Sequence, residues 1–393
     1  MLHPKRKPTR SQLVPSADGL HSLAVSDYGP IEADAHHTVC YLHGGPGGGT
    51  PPDVPRLFDE HIHLVVFDQR GCGQSVCADR LRANTTALLL EDVETVREAL
   101  GIEKWGVMGS SYGSLLATMY CARHAPRVSW ALLHGVFLGS QAEVEWLYEE
   151  GGASRFYPQQ WAEFKGFTFA ADEASYGNAL SAGETGTAPT PEALAAAHVD
   201  ATFLDAAHPP PRLLSKYHQQ LNLQPSLDES VRANPIPDDA PFSAVPTLVA
   251  AAAALTRWED EMETLVPCPA SHDPAELVAG AQVAAHFFYH GCFLPAEGAL
   301  PELTSAAAAA ALSSVPCAII HGRHDVICPP RAAATLRALW GKSSLRIVEG
   351  GAHALFEKPM RSAAQACLAE LTEQNSAGSD PSASSSGSKR RRG

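Results

Sequence analysis

The chain has 393 residues, 45 % of them hydrophobic, which is enough for one large catalytic domain carrying an insertion or for two ordinary domains. Its formal net charge is −14 although both ends are basic (Lys5, Arg6, Lys7 and Arg10; Lys389 to Arg392), so the body between them is more acidic still. Such a body repels phosphate backbones and anionic lipid, which argues against nucleic-acid and membrane-surface roles. No apolar run is long enough to span a bilayer, and the basic N-terminus is not followed by the apolar stretch of a secretory signal. The nine cysteines form no C-x-x-C pair and read as reduced thiols of a cytoplasmic protein.

Residues 1–36 read as a partly ordered N-terminal segment. From 37 to 138 short apolar runs recur, each closed by Gly, Asp or His: Val39–Leu42, Leu64–Phe67, Gly106–Met108 and Trp130–Leu133. Runs of this length and composition predict strands buried on both faces. Helical patterns lie between them. Thr85–Leu100 places Leu88, Leu89, Val93, Val96 and Leu100 on an inner face, with Glu91, Asp92, Glu94, Arg97 and Glu98 outside, a threonine cap at the start and Gly101 at the stop. A second helix carries Leu115, Leu116, Met119 and Tyr120 inward and ends before Pro126. This strand–helix alternation predicts a doubly wound, mainly parallel α/β sheet. It breaks at 139. Residues 139–314 show helical patches without a strand pattern, the expectation being a mainly helical cap with a low-complexity insertion near 183–211. Strands resume with Ala318–Ile320 and Leu345–Val348 in a second core stretch, 315–374. From 375 to 393 the Ser-rich tail is expected to be disordered. Its Lys389–Arg392 cluster reads as a solvated basic end, with nuclear entry as the alternative.

Gly109-Ser110-Ser111-Tyr112-Gly113 fits G-x-S-x-G between a predicted strand and a predicted helix. In that context the serine hydroxyl is pushed out above the sheet edge, and the pattern points to the α/β-hydrolase fold with Ser111 as nucleophile. A serine needs a base, and in this fold the acid and then the histidine follow it in the chain. Asp325 and His353 stand just past two later strands, on the same sheet edge as Ser111. His43-Gly-Gly-Pro-Gly47 follows a strand and can supply oxyanion donors, one from Gly44 or Gly45, with the Tyr112 N–H as the other. His321-x-x-His324-Asp325 has metal-like spacing, but the aspartate is needed for the triad and no further ligand cluster stands out, so no metal is expected. His61 and His63 read as solvated surface.

The chain resembles the proline iminopeptidases, serine aminopeptidases of the α/β-hydrolase superfamily. The matching segments include HGGPGGG (43–49), VVFDQRGCGQS (65–75), GSSYGSLLATMYCARHAPRV (109–128), TRWE (256–259), HGRHDVICPP (321–330) and GGAHALFE (350–357). The resemblance implies cofactor-free release of N-terminal proline from small peptides with a free N-terminus. It also implies that Trp258-Glu259 lies at the substrate amine, where a buried carboxylate would pair with the prolyl ammonium. A second family glutamate is replaced here by Ala284. A carboxylesterase or amidase of the same fold, with an altered cap specificity, is therefore the alternative.

Overall fold

A computed structural model describes residues 2–166, 212–222, 247–266 and 273–376; the expected insertion at 183–211 and the tail beyond 376 lie outside the described residues. The strands are β1 (Arg10–Pro15), β2 (His21–Tyr28), β3 (Thr38–Leu42), β4 (His63–Phe67), β5 (Val76–Cys77), β6 (Trp105–Ser110), β7 (Val128–His134), β8 (Cys317–Gly322) and β9 (Ser343–Val348). They form one sheet in the order β1-β2-β4-β3-β6-β7-β8-β9, with β5 paired to β2. From β4 through β9 the neighbours are parallel; β2 joins β1, β4 and β5 antiparallel.

The strands with continuous apolar runs are buried on both faces, and alternate residues serve two cores. Cys40, Leu42, Val107 and Leu133 face α1 (Thr86–Ala99) and α2 (Tyr112–His124). Val39, Tyr41, Met108 and Leu132 face α11 (Lys358–Ser376). Close packing selects small residues within this sheet. A Cβ on Gly106 would fall 2.3 Å from the Trp130 ring.

Between β7 and β8 the described chain is helical: α3 (Gln141–Tyr148), α4 (Pro158–Gly166), α5 (Arg212–Asn222), α6 (Thr247–Glu263), α7 (Pro274–Tyr289), α8 (Leu300–Leu303) and α9 (Ala306–Ser314). The helix α10 (Arg331–Leu339) joins β8 to β9. No helix among the described residues is long and apolar enough to cross a membrane.

Three expectations are corrected. The N-terminal segment forms the β1–β2 hairpin, turned at Asp18-Gly19 and continued into the sheet through β4. Strand β2 alternates buried and half-buried positions without a break, but its buried set includes the polar His21 and Asp27, which hide the apolar pattern. His63 is buried rather than solvated, because its Nε2 lies 2.8 Å from Asp27 Oδ1; only His61 is exposed. In α1, Asp92 and Arg97 are buried and Leu90 replaces Leu88 on the inner face. The cause for Asp92 is Arg70, itself fully buried, whose guanidinium holds that carboxylate through Nε at 2.5 Å and a second nitrogen at 2.8 Å.

Candidate active site

The β6–α2 turn sets a half-buried serine at the sheet edge. Ser111 takes φ 55°, ψ −124°, a left-handed conformation that non-glycine residues adopt at a cost of about 1–3 kcal/mol. Its neighbours leave no room for larger side chains: a Cβ on Gly109 would lie 2.2 Å from Gly113 O, and one on Gly113 would lie 2.1 Å from Leu42 O. The Ser111 N–H donates to His134 O at 2.9 Å, tying the turn to the end of β7. Tyr112 opens α2, so its N–H belongs to the first helical turn, where no intrahelical acceptor exists.

Strand β3 lies beside β6 and delivers the glycine loop to this turn. Gly44 abuts the serine: a Cβ there would come within 2.9 Å of Ser111 Cβ and 3.6 Å of its Oγ. Gly45 has φ 111°, and a Cβ on it would meet Gly48 N at 2.6 Å. The loop is braced by His43, whose Nε2 accepts from the Gln69 N–H at 3.0 Å while Nδ1 faces Gly44 O at 2.9 Å. Burial lowers the His43 pKa, in keeping with a neutral ring that accepts on one side and donates on the other.

On the other side of β6, strands β8 and β9 pair in parallel and end together, Gly322 opposite Val348. Their following loops interlock through His324 N–H to Gly351 O at 3.0 Å. This brings Asp325 and His353 into contact: Nδ1 of His353 lies 2.9 Å from Asp325 Oδ2. Both side chains are buried. The other carboxylate oxygen accepts the Cys328 N–H at 2.8 Å, and His321 Nε2 stands 3.4 Å from Oδ2. Burial alone would push the Asp325 carboxyl up, but the charge and hydrogen bond of His353 hold it below its ordinary value. Burial alone would lower the His353 pKa; the Asp325 carboxylate, aided by Glu263 and Glu259, raises it instead. With Nδ1–H donated to the carboxylate, the lone pair of a neutral His353 sits on Nε2.

Above this edge lies α6. Its end is fastened to the histidine loop by the Ala354 N–H, which donates to Glu263 O at 2.8 Å. Glu259 accepts a hydrogen bond from the Tyr148 hydroxyl. Its pKa is pushed up to about 7, chiefly by burial, against the pull of that hydroxyl and with the charges of Asp260 and Glu263 adding to the rise. Trp258, expected at the substrate, is instead 1 % exposed, donates to Leu147 O at 3.0 Å and stacks on Phe164 at 5.6 Å and 11°. It packs the cap, with Trp161 and Phe164 against its ring. Ala284 is buried in α7, whose Gly280 lies against the glycine loop: a Cβ on Gly47 would fall 2.4 Å from Gly280 O.

Sequence reasoning missed His134. It is buried at the end of β7 with its ring 5.9 Å from that of His353, and burial drives its pKa down to about 3. Its place follows from the pairing of β7 with β6, which no local sequence pattern signals.

A strained serine turn, a glycine loop against it and a buried Asp–His pair on one sheet edge define a hydrolase of the α/β type. Residues 37–359 match the family described as alpha/beta hydrolase fold. A proline iminopeptidase of Xylella fastidiosa strain Temecula1 is 32 % identical over 352 residues, covering 84 % of this chain and 92 % of that protein. The proline iminopeptidase of Neisseria gonorrhoeae is 31 % identical, covering 83 % of this chain and 85 % of that protein. Among solved structures, a proline iminopeptidase of Mycobacterium smegmatis superposes with a TM-score of 0.50 at 17 % identity, over 93 % of this chain and 100 % of that one, a likeness of fold. The chain belongs to the proline iminopeptidase family of α/β hydrolases.

Proposed function

We propose that this enzyme releases N-terminal proline from short peptides through an acyl-enzyme on Ser111, with residues 139–314 acting as the cap that reads the substrate. The observation that carries the proposal is the buried Asp325–His353 pair, at 2.9 Å, on the sheet edge that presents the strained Ser111. In this reading Ser111 Oγ attacks the prolyl carbonyl carbon and its proton passes to His353 Nε2. The tetrahedral oxygen is held by the N–H groups of Tyr112 and of Gly44 or Gly45. His353 returns the proton to the leaving amine, and a water activated by the same nitrogen hydrolyses the acyl bond. Asp325 keeps the imidazole in the needed tautomer and stabilises the imidazolium. Glu259 pairs with the substrate ammonium, which selects free N-termini. The eight described cysteines are all free thiols, which supports a reducing, cytoplasmic setting.

Ala284 favours a second reading. With no carboxylate at that position, the site could serve an ester or amide lacking a free amine.

A phosphonofluoridate reagent and a prolyl anilide test the core of the reading together. The reagent should label the peptide bearing Ser111, and Ser111→Ala should lose both labelling and anilide cleavage. Cleavage that persists in Ser111→Ala contradicts the proposal; labelling with ester but no prolyl turnover favours the second reading.

A further inference from the structure

Two cap helices bring together three histidines that acyl transfer does not use. His286 and His290 are four residues apart on α7 and so share one face, and His218 reaches them from α5. They are 3 %, 1 % and 3 % exposed respectively, and one ring nitrogen from each lies within 4.8 Å of those of the other two. No other group of three or more His, Cys, Asp or Glu side chains with this proximity occurs among the described residues.

Two of the rings have their tautomers set by the fold. His286 Nε2 lies 3.1 Å from Asn84 O, and His290 Nδ1 lies 2.8 Å from His286 O. A carbonyl oxygen only accepts, so in each neutral ring those nitrogens carry the proton and the lone pairs fall on His286 Nδ1 and His290 Nε2. Metal-binding histidines are oriented in this way, with the second ring nitrogen donated to a backbone carbonyl. Ring planes are fixed as well: Tyr289 stacks on His218 at 4.1 Å and 9°, and Phe293 on His290 at 4.9 Å and 11°.

The donor set contains imidazole nitrogens alone. Calcium and magnesium demand oxygen ligands, whereas imidazole suits zinc and its neighbours in the first transition row. The geometry points to a binding site for one zinc-class divalent ion, held by His218, His286 Nδ1 and His290 Nε2. Tetrahedral zinc with bonds of about 2.0–2.1 Å sets its nitrogens about 3.4 Å apart, so the rings close slightly around it. The ion clasps α5 to α7, and through Asn84 it ties both to the loop before α1. It takes no part in the reaction. The sequence carried no sign of the site, because the third ligand comes from a distant stretch of chain and an H-x-x-x-H spacing on an apolar helix reads as packing.

The full chain, stripped with chelator, should bind Zn²⁺ at one ion per molecule by calorimetry, with a rise in Tm. Co²⁺ should give visible d–d absorption, and X-ray absorption on the wild-type zinc form should count three imidazole nitrogens. His218→Phe and His290→Phe keep a ring in each stack and should each weaken Zn²⁺ by more than about 100-fold, while the exposed His61→Ala leaves it unchanged. Absence of stoichiometric binding to the wild type, or a zinc form whose ligands are not these imidazoles, overturns the proposal. Neither result bears on catalysis by Ser111.

Discussion

Ser111, Asp325 and His353, the proposed nucleophile, acid and base, were legible as a set because each follows a recognisable strand, and the structure brings Asp325 and His353 into contact. Their environment was not legible. His134 is buried against His353 only because β7 runs beside β6, and no local pattern announces that pairing. Asp325→Asn should lower kcat by about 10⁴-fold with the fold retained by circular dichroism, since an amide at this place favours the wrong imidazole tautomer. The pH dependence separates two titrations. His353 must be neutral to accept the serine proton, and its pKa is raised, so activity falls as pH drops through a value above that of an ordinary histidine. Glu259 must be ionised to hold an ammonium, and its pKa stands at about 7, so protonation below that adds a second loss for amine substrates. The acid limb of kcat/KM should therefore be steeper for a prolyl anilide than for a neutral ester. The two groups feel each other's charge, so the limb reports the pair. Equal slopes would remove Glu259 from substrate recognition.

Elements whose burial follows apolar periodicity came through in the sequence: β3, β4, β6, β7, β8 and the inner face of α2; β9 came through as a strand, but at the edge of the sheet its Leu345 and Ile347 are only half-buried and Arg346 is exposed. Elements whose burial depends on ion pairs did not. The inner face of α1 is turned toward Arg70, which also bonds Asp18 and donates to Ala83 O at 2.8 Å. Arg70→Met should destabilise the fold by about 3–5 kcal/mol in urea denaturation, because it leaves the Asp92 carboxylate buried without its partner. The glycine loop depends on a contact between core and cap. Gly47 has φ 97° and its α-carbon faces Gly280 O too closely for a side chain, so Gly47→Ala must either strain the loop or push α7 away. The variant should lose kcat more than it loses Tm, as a displaced oxyanion donor would require.

At the scale of the whole molecule, the fold is a sheet whose edge strands are treated differently. The β1–β2 hairpin covers the edge that β4 would otherwise expose, and Asp27 within it satisfies His63. Removing residues 1–29 should uncover that edge and give association visible by light scattering, while the full chain stays dispersed at the same concentration. The hairpin and the cap were the parts least readable from sequence. In the hairpin, polar residues occupy core positions; in the cap, helices pack through aromatic contacts such as Trp258 on Phe164 rather than through a repeating pattern. In the proposed reading the cap selects what the triad acts on, and its buried Glu259 is the group that would recognise a free amine. The most direct measurement is kcat/KM for prolyl anilide against N-acetyl-prolyl anilide, in the wild type and in Glu259→Gln. A wild type that cleaves the free amine and spares the acetylated one, with prolyl activity falling about 10–150-fold in the variant, is the predicted result. Equal cleavage of the two anilides by the wild type would contradict the assignment and leave a serine hydrolase that does not read the N-terminus.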